Sequence, residues 1–538
     1  MSLSGKQHNK NIKFVKASLD SDATYRTALF EQGFLLTNRN IEMTDQFPFY
    51  GNWRHVSINQ CTQLYLHDTQ KAYIHQTEEY TCFLIGHAYD PFAYEWDENK
   101  ILISFAQAIC GSFEQGLNFI NNLTGLFVIG IIKDKEIFFC GDFESLRTTY
   151  YGRVGNHWYI ASHEEIVALY ENLSRDQYVE RLETYRWYHL YGEGLPGDTS
   201  HYHELKKLMS NTYVQFRDNI FSVHRFFPQM AITMCESEDS YKHVVAEIAD
   251  IMKTTMELIP LKWKKPAISA TGGRDSKGAI AASFHIKEKY QYFSYNSQPA
   301  EAVDCEAANK ICKALGLQHT TYTIPLEKEL YKEYDLVKAI LGINSNRLYF
   351  NHNDIMKRIF FRRNKVVEVE VKSWSSEIGR ALYYRKYGVK RLQKNCTPRY
   401  VNVMNNVYLC NPSLMYETDR HYKEYLHKTH FFEHLFNYDW SDLVKLEMRN
   451  SRWGADVISC EHMFAYDITI PYNNRRLAQL MLSVPLHNRI QSMTHIDFTN
   501  LLCPEIGNLN INVRDVSHGK KRELLDRVYY YISCIRPF

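Results

Sequence analysis

The sequence predicts a two-domain protein, α+β over residues 1–230 and α/β over residues 237–538. Three observations carry this. The chain has 538 residues, more than a single core usually organises. Its first part holds short apolar runs separated by turn signals, the pattern of strands. From about Ser237, strand-like and helix-like segments alternate, the pattern of a doubly wound parallel sheet.

In the first part, strands are predicted at YTCFLIGHAY (80–89), LTGLFVIGIIKD (123–134), EIFFCGDF (136–143) and HWYIASHE (157–164). Each is short and rich in β-branched or aromatic residues. Helices are predicted around Ile101–Gly111 and Arg175–Tyr191, and a closing hairpin from TYVQFRD and FSVHRFF. A linker is placed near residues 228–238, at Pro228 and the polar run CESED. Beyond it, SYKHVVAEIADIMKTTMELI has the 3.6-residue period of an amphipathic helix. KKPAISAT, YQYFSYNS and HTTYTI read as strands, with helices between them at DSKGAIAASFHIKEKY and DCEAANKICKALGL. After about Tyr331 the chain reads as mostly helical.

Composition excludes several classes. Apolar residues make up 45% and charged residues 23%, the balance of a globular chain. With 63 Lys+Arg and 61 Asp+Glu the net charge is +2, which provides no global field for nucleic acid or an acidic membrane. The longest apolar stretch, Leu123–Ile132, is about half of what a membrane span needs. The N-terminus has no apolar run of a signal peptide, and twelve scattered cysteines without a CxxC pair read as reduced thiols. A cytoplasmic location is the expectation.

The strongest local motif is Ser269-Ala270-Thr271-Gly272-Gly273-Arg274-Asp275-Ser276, between a predicted strand (Ala267–Ala270) and a predicted helix (Ser276–Ile286). Two glycines permit a sharp turn and close approach of a ligand. Backbone N–H groups of the loop and helix N-terminus then face an anion such as phosphate. Asp275 is out of place beside a phosphate unless a divalent cation lies between them, which suggests ATP with Mg²⁺. A plain Gly-rich turn with Asp and Ser caps is the competing reading.

SATGGRDS resembles the SGGxDS pyrophosphate loop of ATP-pyrophosphatases. FSYNS with Asp304, Ala307 and Ala308, LGLQHTTYTI, the segment Lys372–Arg380, LEMRNSRWGAD, ITIPYNNRRLAQLMLSVP and SHGKK follow the order of the asparagine synthetase-like branch. In the first part, Gly125, Asp142, Tyr150-Tyr151 and Ala161-Ser162-His163-Glu164 are similar to a class II glutamine amidotransferase domain. The resemblance runs from about residue 80 to residue 525. It implies an Ntn-hydrolase-like β-sandwich followed by an ATP-pyrophosphatase sheet with a helical extension. It also implies an ATP-dependent, AMP-forming carbon–nitrogen ligase that adenylates a carboxylate and passes it to an amine.

In that frame, Ser269, Thr271, Gly272, Gly273, Asp275, Ser276 and Ser294 bind ATP, and Asp275 with Glu377 binds Mg²⁺. Lys520, Glu377 and Arg274 are the catalytic candidates, Lys520 and Arg274 as fixed positive charge, with Tyr383 or Tyr384 helping to deprotonate the amine. The partners are a small-molecule or peptide carboxylate and an amine; a biosynthetic partner protein delivering a peptide is compatible with it, while nucleic acid and membrane are not expected.

The departures are informative. The family's glutaminases need an N-terminal cysteine; this chain has Ser2 and no cysteine before Cys61, so glutaminase activity is not expected. That pattern resembles the β-lactam synthetase and lasso-peptide cyclase type, which leaves an intramolecular cyclase open as an alternative, as it does a scaffold that lost ATP chemistry. The family's general-base and metal-binding carboxylate positions read Ser373 and Ser376, and Arg380 is added.

Two other strings are weaker. Gly192-Glu-Gly194-Leu-Pro-Gly197 matches G-x-G-x-x-G but lacks the strand–helix context and reads as a turn. His430-Phe-Phe-Glu433-His434 would put two histidines on one helix face, with no third zinc ligand indicated. Lys262, Lys264 and Lys265, and Arg358, Arg362, Arg363 and Lys365, read as solvated basic faces, with an anionic or peptidic substrate as the alternative for the second.

Overall fold

The computed structural model describes residues 3–191, 194–347, 349–388, 392, 395–406, 408–509, 511 and 520–535, the side chains of 3, 189–191, 520 and 535 excepted. The fold is mixed α/β with two antiparallel sheets and one parallel sheet.

The first antiparallel sheet has the order β10 (Leu205–Lys207), β8 (Tyr150–Val154), β9 (His157–Ala161), β1 (Phe34–Thr37), β3 (Thr62–His67), β2 (Trp53–Asn59). The second has the order β12 (Ile220–Arg225), β11 (Thr212–Arg217), β7 (Glu136–Gly141), β6 (Thr124–Lys133), β5 (Thr81–Tyr89), β4 (Ala72–Gln76). They face each other. Leu36, Leu64 and Ile160 of one sheet and Phe83, Val128 and Phe139 of the other share one buried core. Phe139 meets Tyr151 edge-on at 5.8 Å and Trp158 packs on Phe216 at 5.6 Å, so aromatic bulk fills the gap between the layers. Register fixes which side chains enter that gap, since one residue of slip would turn them outward. Gly125 in β6 has φ +137°, and a Cβ there would stand 2.3 Å from the His87 carbonyl of β5. Only glycine keeps these two strands paired at that point.

The parallel sheet has the order β15 (His319–Thr323), β14 (Gln291–Asn296), β13 (Pro266–Ser269), β16 (Val369–Val371), β17 (Asp467–Thr469). Its topology reverses between β13 and β16. The long helix Glu238–Lys262 and the helix Arg274–Ser283 pack on it, burying Ile248, Met252, Ala279 and Ile280. Ser237 caps the first helix, accepting from Ser240 N at 3.1 Å, with the reciprocal bond completing a capping box.

The structure departs from the sequence expectation in several places. A helix, Leu3–Ser21, opens the described chain. Ser2 lies outside the described residues. The helix expected over Arg175–Tyr191 is two, Gln177–Thr184 and Arg186–Tyr191, and Asp176 caps the first. Two short strands, β16 and β17, interrupt the helical C-terminal part. His430 has φ +48°, past the end of the helix Pro412–Lys428, so His430 and His434 do not share a helix face. The basic clusters are not simply solvated. Lys262 is buried against Glu98, Arg358 is 4% exposed, and Arg362 pairs with Glu31 at 2.5 Å. Residues 192 and 193 of the glycine string lie outside the described residues.

No helix among the described residues is long and apolar enough to cross a membrane.

Buried polar pairs join the antiparallel and parallel parts. Arg225 of β12 meets Glu447 at 2.5 and 2.8 Å, and Lys207 of β10 meets Asp456 at 2.5 Å. The Asp142 carboxylate accepts from the backbone N–H of Leu146 (2.9 Å) and Arg147 (3.0 Å), and from Asn473 Nδ2 (2.9 Å). Asn473 in turn donates to the Gly125 carbonyl at 2.6 Å and accepts from Glu144 N at 3.0 Å.

Candidate active site

The apolar run Pro266–Ser269 can only be a central strand, flanked on both sides by parallel neighbours. It ends at the glycine loop, where Gly273 caps the helix Arg274–Ser283. The loop is tied internally. Thr271 N donates to Ser276 Oγ at 2.9 Å, Gly273 N to Thr271 Oγ1 at 3.1 Å, and Gly272 N to Asp304 Oδ1 at 3.3 Å. Ser294, near the end of β14, donates to the Ala270 carbonyl at 2.6 Å and is hydrogen-bonded to His319. It supports the loop from below.

The second wall follows β16. Lys372 N donates to the Thr469 carbonyl of β17 at 3.0 Å, and the chain turns through Ser375 (φ +73°) into a short turn, Ser376–Arg380. These two loops leave neighbouring strands at the point where the sheet's order reverses, the place where open α/β sheets form a crevice.

A cavity of about 700 Å³ opens there. Ser269, Thr271, Gly273, Asp275 and Ser276 line it from the first loop, and Lys372, Ser373, Trp374, Ser375, Glu377 and Arg380 from the second. Ser294, Asp304, Arg449 and Trp453 add side walls, and Glu523, Asp526 and Arg527 of the helix Lys520–Tyr530 close the far side. Seven of the ten sequence candidates thus meet at one cavity: Ser269, Thr271, Gly273, Asp275, Ser276, Ser294 and Glu377. Gly272 sits within the same loop.

Arg274 does not line it; its guanidinium donates to the Gln491 carbonyl at 2.6 Å, because the first helical turn points that side chain outward from the loop. Lys520 begins the helix of the far wall, and its side chain lies outside the described residues. Tyr384 is taken up by Asp439, to which it donates at 2.5 Å, and does not line the cavity; Tyr383 does.

The carboxylates proposed for magnesium are already matched. Arg380 Nη1 donates to Asp275 Oδ2 at 2.8 Å, and Lys445 Nζ to Glu377 Oε2 at 2.9 Å. The Lys445 ammonium holds the Glu377 carboxyl down to about 2. Asp275 Oδ1 is buried without a hydrogen-bond partner, 3.6 Å from His495 Nε2, which burial keeps neutral. Among the described residues no group of three His, Cys, Asp or Glu side chains forms a metal cluster. Of the two acids expected to hold magnesium, each is thus paired with a side-chain cation through one oxygen, Asp275 with Arg380 and Glu377 with Lys445.

The helix N-terminus, the hydroxyls of Thr271 and Ser276, and the cations Lys372, Arg380 and Arg449 line the cavity, Lys372 at 3.0 Å from Glu370 and Arg380 at 2.8 Å from Asp275. Ser373 Oγ, also in its wall, is buried without a partner.

Sequence reasoning missed Glu144. It leaves the antiparallel part, is fully buried, and accepts from Ser375 Oγ and Asn450 Nδ2, both at 2.7 Å. Burial pushes its carboxyl up to about 7. It follows Asp142 by two residues, but nothing local marks it as a partner of Ser375.

No family model and no curated protein matches this chain. Among solved structures, the chain is similar to glutamine phosphoribosylpyrophosphate (PRPP) amidotransferase from B. subtilis complexed with ADP and GMP: 9% identity, covering 60% of this chain and 88% of that one, TM-score 0.23. It is also similar to a structure of the allosteric regulatory enzyme of purine biosynthesis: 9% identity, covering 59% of this chain and 75% of that one, TM-score 0.25. Overlap at that level carries nothing about function.

Proposed function

We propose that the protein is an ATP-dependent ligase that joins a carboxylate to an amine. The observation that carries this is the convergence of the Thr271–Ser276 loop and the Lys372–Arg380 loop on one cavity at the sheet's switch point. The first loop offers hydroxyls and a helix N-terminus to the β- and γ-phosphates. Arg380 and Lys372 add fixed positive charge opposite.

In the proposed reaction, a carboxylate oxygen of the acid attacks the α-phosphorus of ATP. The bond from that phosphorus to the bridging oxygen breaks, and pyrophosphate leaves. The amine then attacks the acyl carbon, AMP leaves and the amine's proton passes to solvent or base. Glu377, held ionised by Lys445, suits charge balance better than proton abstraction.

A second reading, a scaffold that binds nucleotide without turning it over, is favoured by the pairing of Asp275 and Glu377 with side-chain cations.

Pyrophosphate release from ATP, measured against pools of carboxylates and amines, separates the two. Release that needs both ATP and an acid, and that is lost in Asp275→Ala, supports the ligase. ATP binding with no release under any pool supports the scaffold.

A further inference from the structure

A second, smaller cavity of about 90 Å³ lies between the antiparallel part and the C-terminal helices, walled by Tyr150, Gly194, His201, Asn346, Arg452 and Trp453 among others. A water needs roughly 10–15 Å³ by this measure, so a ligand of about half a dozen heavy atoms fits. Trp453 is also part of the nucleotide cavity's wall.

Arg452 is 3% exposed. Its Nη2 donates to the Thr199 carbonyl at 2.6 Å, while Nε and Nη1 are buried without an acceptor. The neighbouring acids are spoken for. Glu183 meets Arg175 at 2.7 Å and His201 at 3.1 Å, and Asp456 meets Lys207 at 2.5 Å. Arg347, in the same wall, pairs with Glu461. Among the described residues of this wall, Arg452 is the cation that no carboxylate matches. An unmatched buried guanidinium is costly and favours an anion beside it.

Gly194 and Leu195 of the glycine string noted in the sequence are part of this wall. Gly194 has φ +115°, and a Cβ there would stand 2.8 Å from Arg452 Cβ. Glycine thus lets the chain close directly over the arginine.

We propose that this cavity binds a small carboxylate, a short organic acid or an amino acid, through Arg452. A single negative charge suits it. Glu183 and Asp456 in the same wall disfavour a dianion such as phosphate.

The test is calorimetric titration of the full chain with sodium acetate, glycine and inorganic phosphate at constant ionic strength, with chloride as the reference. Acetate or glycine is expected to bind saturably at millimolar concentration, at least tenfold more tightly than phosphate; the tighter of the two tells a simple acid from an amino acid. Arg452→Met is expected to weaken that binding at least tenfold. Ser345→Met, which narrows the cavity from another wall and leaves Arg452 in place, is expected to do the same and serves if Arg452→Met does not fold. No saturable binding of either carboxylate, tighter binding of phosphate, or carboxylate binding unchanged in the folded variants would overturn the proposal.

Discussion

Arg380 donates to the Asp275 carboxylate at 2.8 Å across a separation of 105 residues. The contact joins the two loops of the candidate site and puts a guanidinium where the sequence suggested a metal. A charge-assisted bond of this kind contributes about 1.5–3 kcal/mol. In the proposed site Arg380 also faces the phosphates, so losing one charge-assisted contact to them, with Asp275 left unmatched beside them, is expected to weaken nucleotide binding in Arg380→Met roughly tenfold to a hundredfold in the absence of divalent cations. Millimolar Mg²⁺ should restore part of that loss in the variant, by pairing with the freed Asp275, and change wild type less. Titrations with and without Mg²⁺ check this.

Glu144 links Ser375 to the antiparallel part, and burial raises its carboxyl from 4.5 to about 7. A carboxyl raised on folding contributes stability that is full below pH 4.5 and lost as pH rises through 7. Glu144→Gln keeps the neutral form at every pH. The melting temperature of the variant relative to wild type should therefore rise between pH 5 and pH 8. A constant difference across that range would show that Glu144 does not titrate there.

His201 lies between Glu164 (2.5 Å) and Glu183 (3.1 Å). Burial alone would lower its pKa, but the Glu164 carboxylate and both hydrogen bonds raise it to about 9 from 6.5. The stability this gives is full below pH 6.5 and lost as pH rises through 9. Wild type and His201→Gln should differ most in melting temperature near pH 6 and converge towards pH 9. Groups that do not face His201 cancel in that difference; Glu164 and Glu183, which it holds low, do not.

Arg225 and Glu447 form a buried pair, with side chains 1% and 0% exposed. Removing either partner leaves the other charge buried. Arg225→Met and Glu447→Met should each cost about 3–5 kcal/mol in denaturant unfolding, and the double variant less than their sum. Additive losses would mean that the two side chains act independently.

What the sequence made legible was local. An apolar tetrapeptide followed by two glycines and a small-residue helix gives the 266–283 unit its form without help from elsewhere. The pairings that define the site join residues far apart, Asp275 to Arg380 and Glu144 to Ser375, and no periodicity records them. Strand β16 is three residues long and holds a buried glutamate, Glu370, which burial disfavours but the Lys372 ammonium holds ionised. An interior acid hides a strand from hydrophobic patterning. The helix Leu3–Ser21 escaped for a related reason. Its buried side chains are Ser4, His8, Val15 and Leu19, two of the four polar. Ser4 donates to Glu183 at 2.6 Å, and His8 meets Glu165 at 3.1 Å. The amphipathic stripe is real in space but muted in composition.

The central claim is that the cavity between the Thr271–Ser276 and Lys372–Arg380 loops holds the phosphates of ATP. Calorimetric titration of the full chain with ATP, for wild type and for Ser276→Ala and Lys372→Met, tests it most directly. The account predicts one saturable site in wild type, weaker for AMP than for ATP, and reduced at least tenfold in both folded variants. No binding of ATP to the wild-type protein, or binding that neither substitution changes, would contradict it.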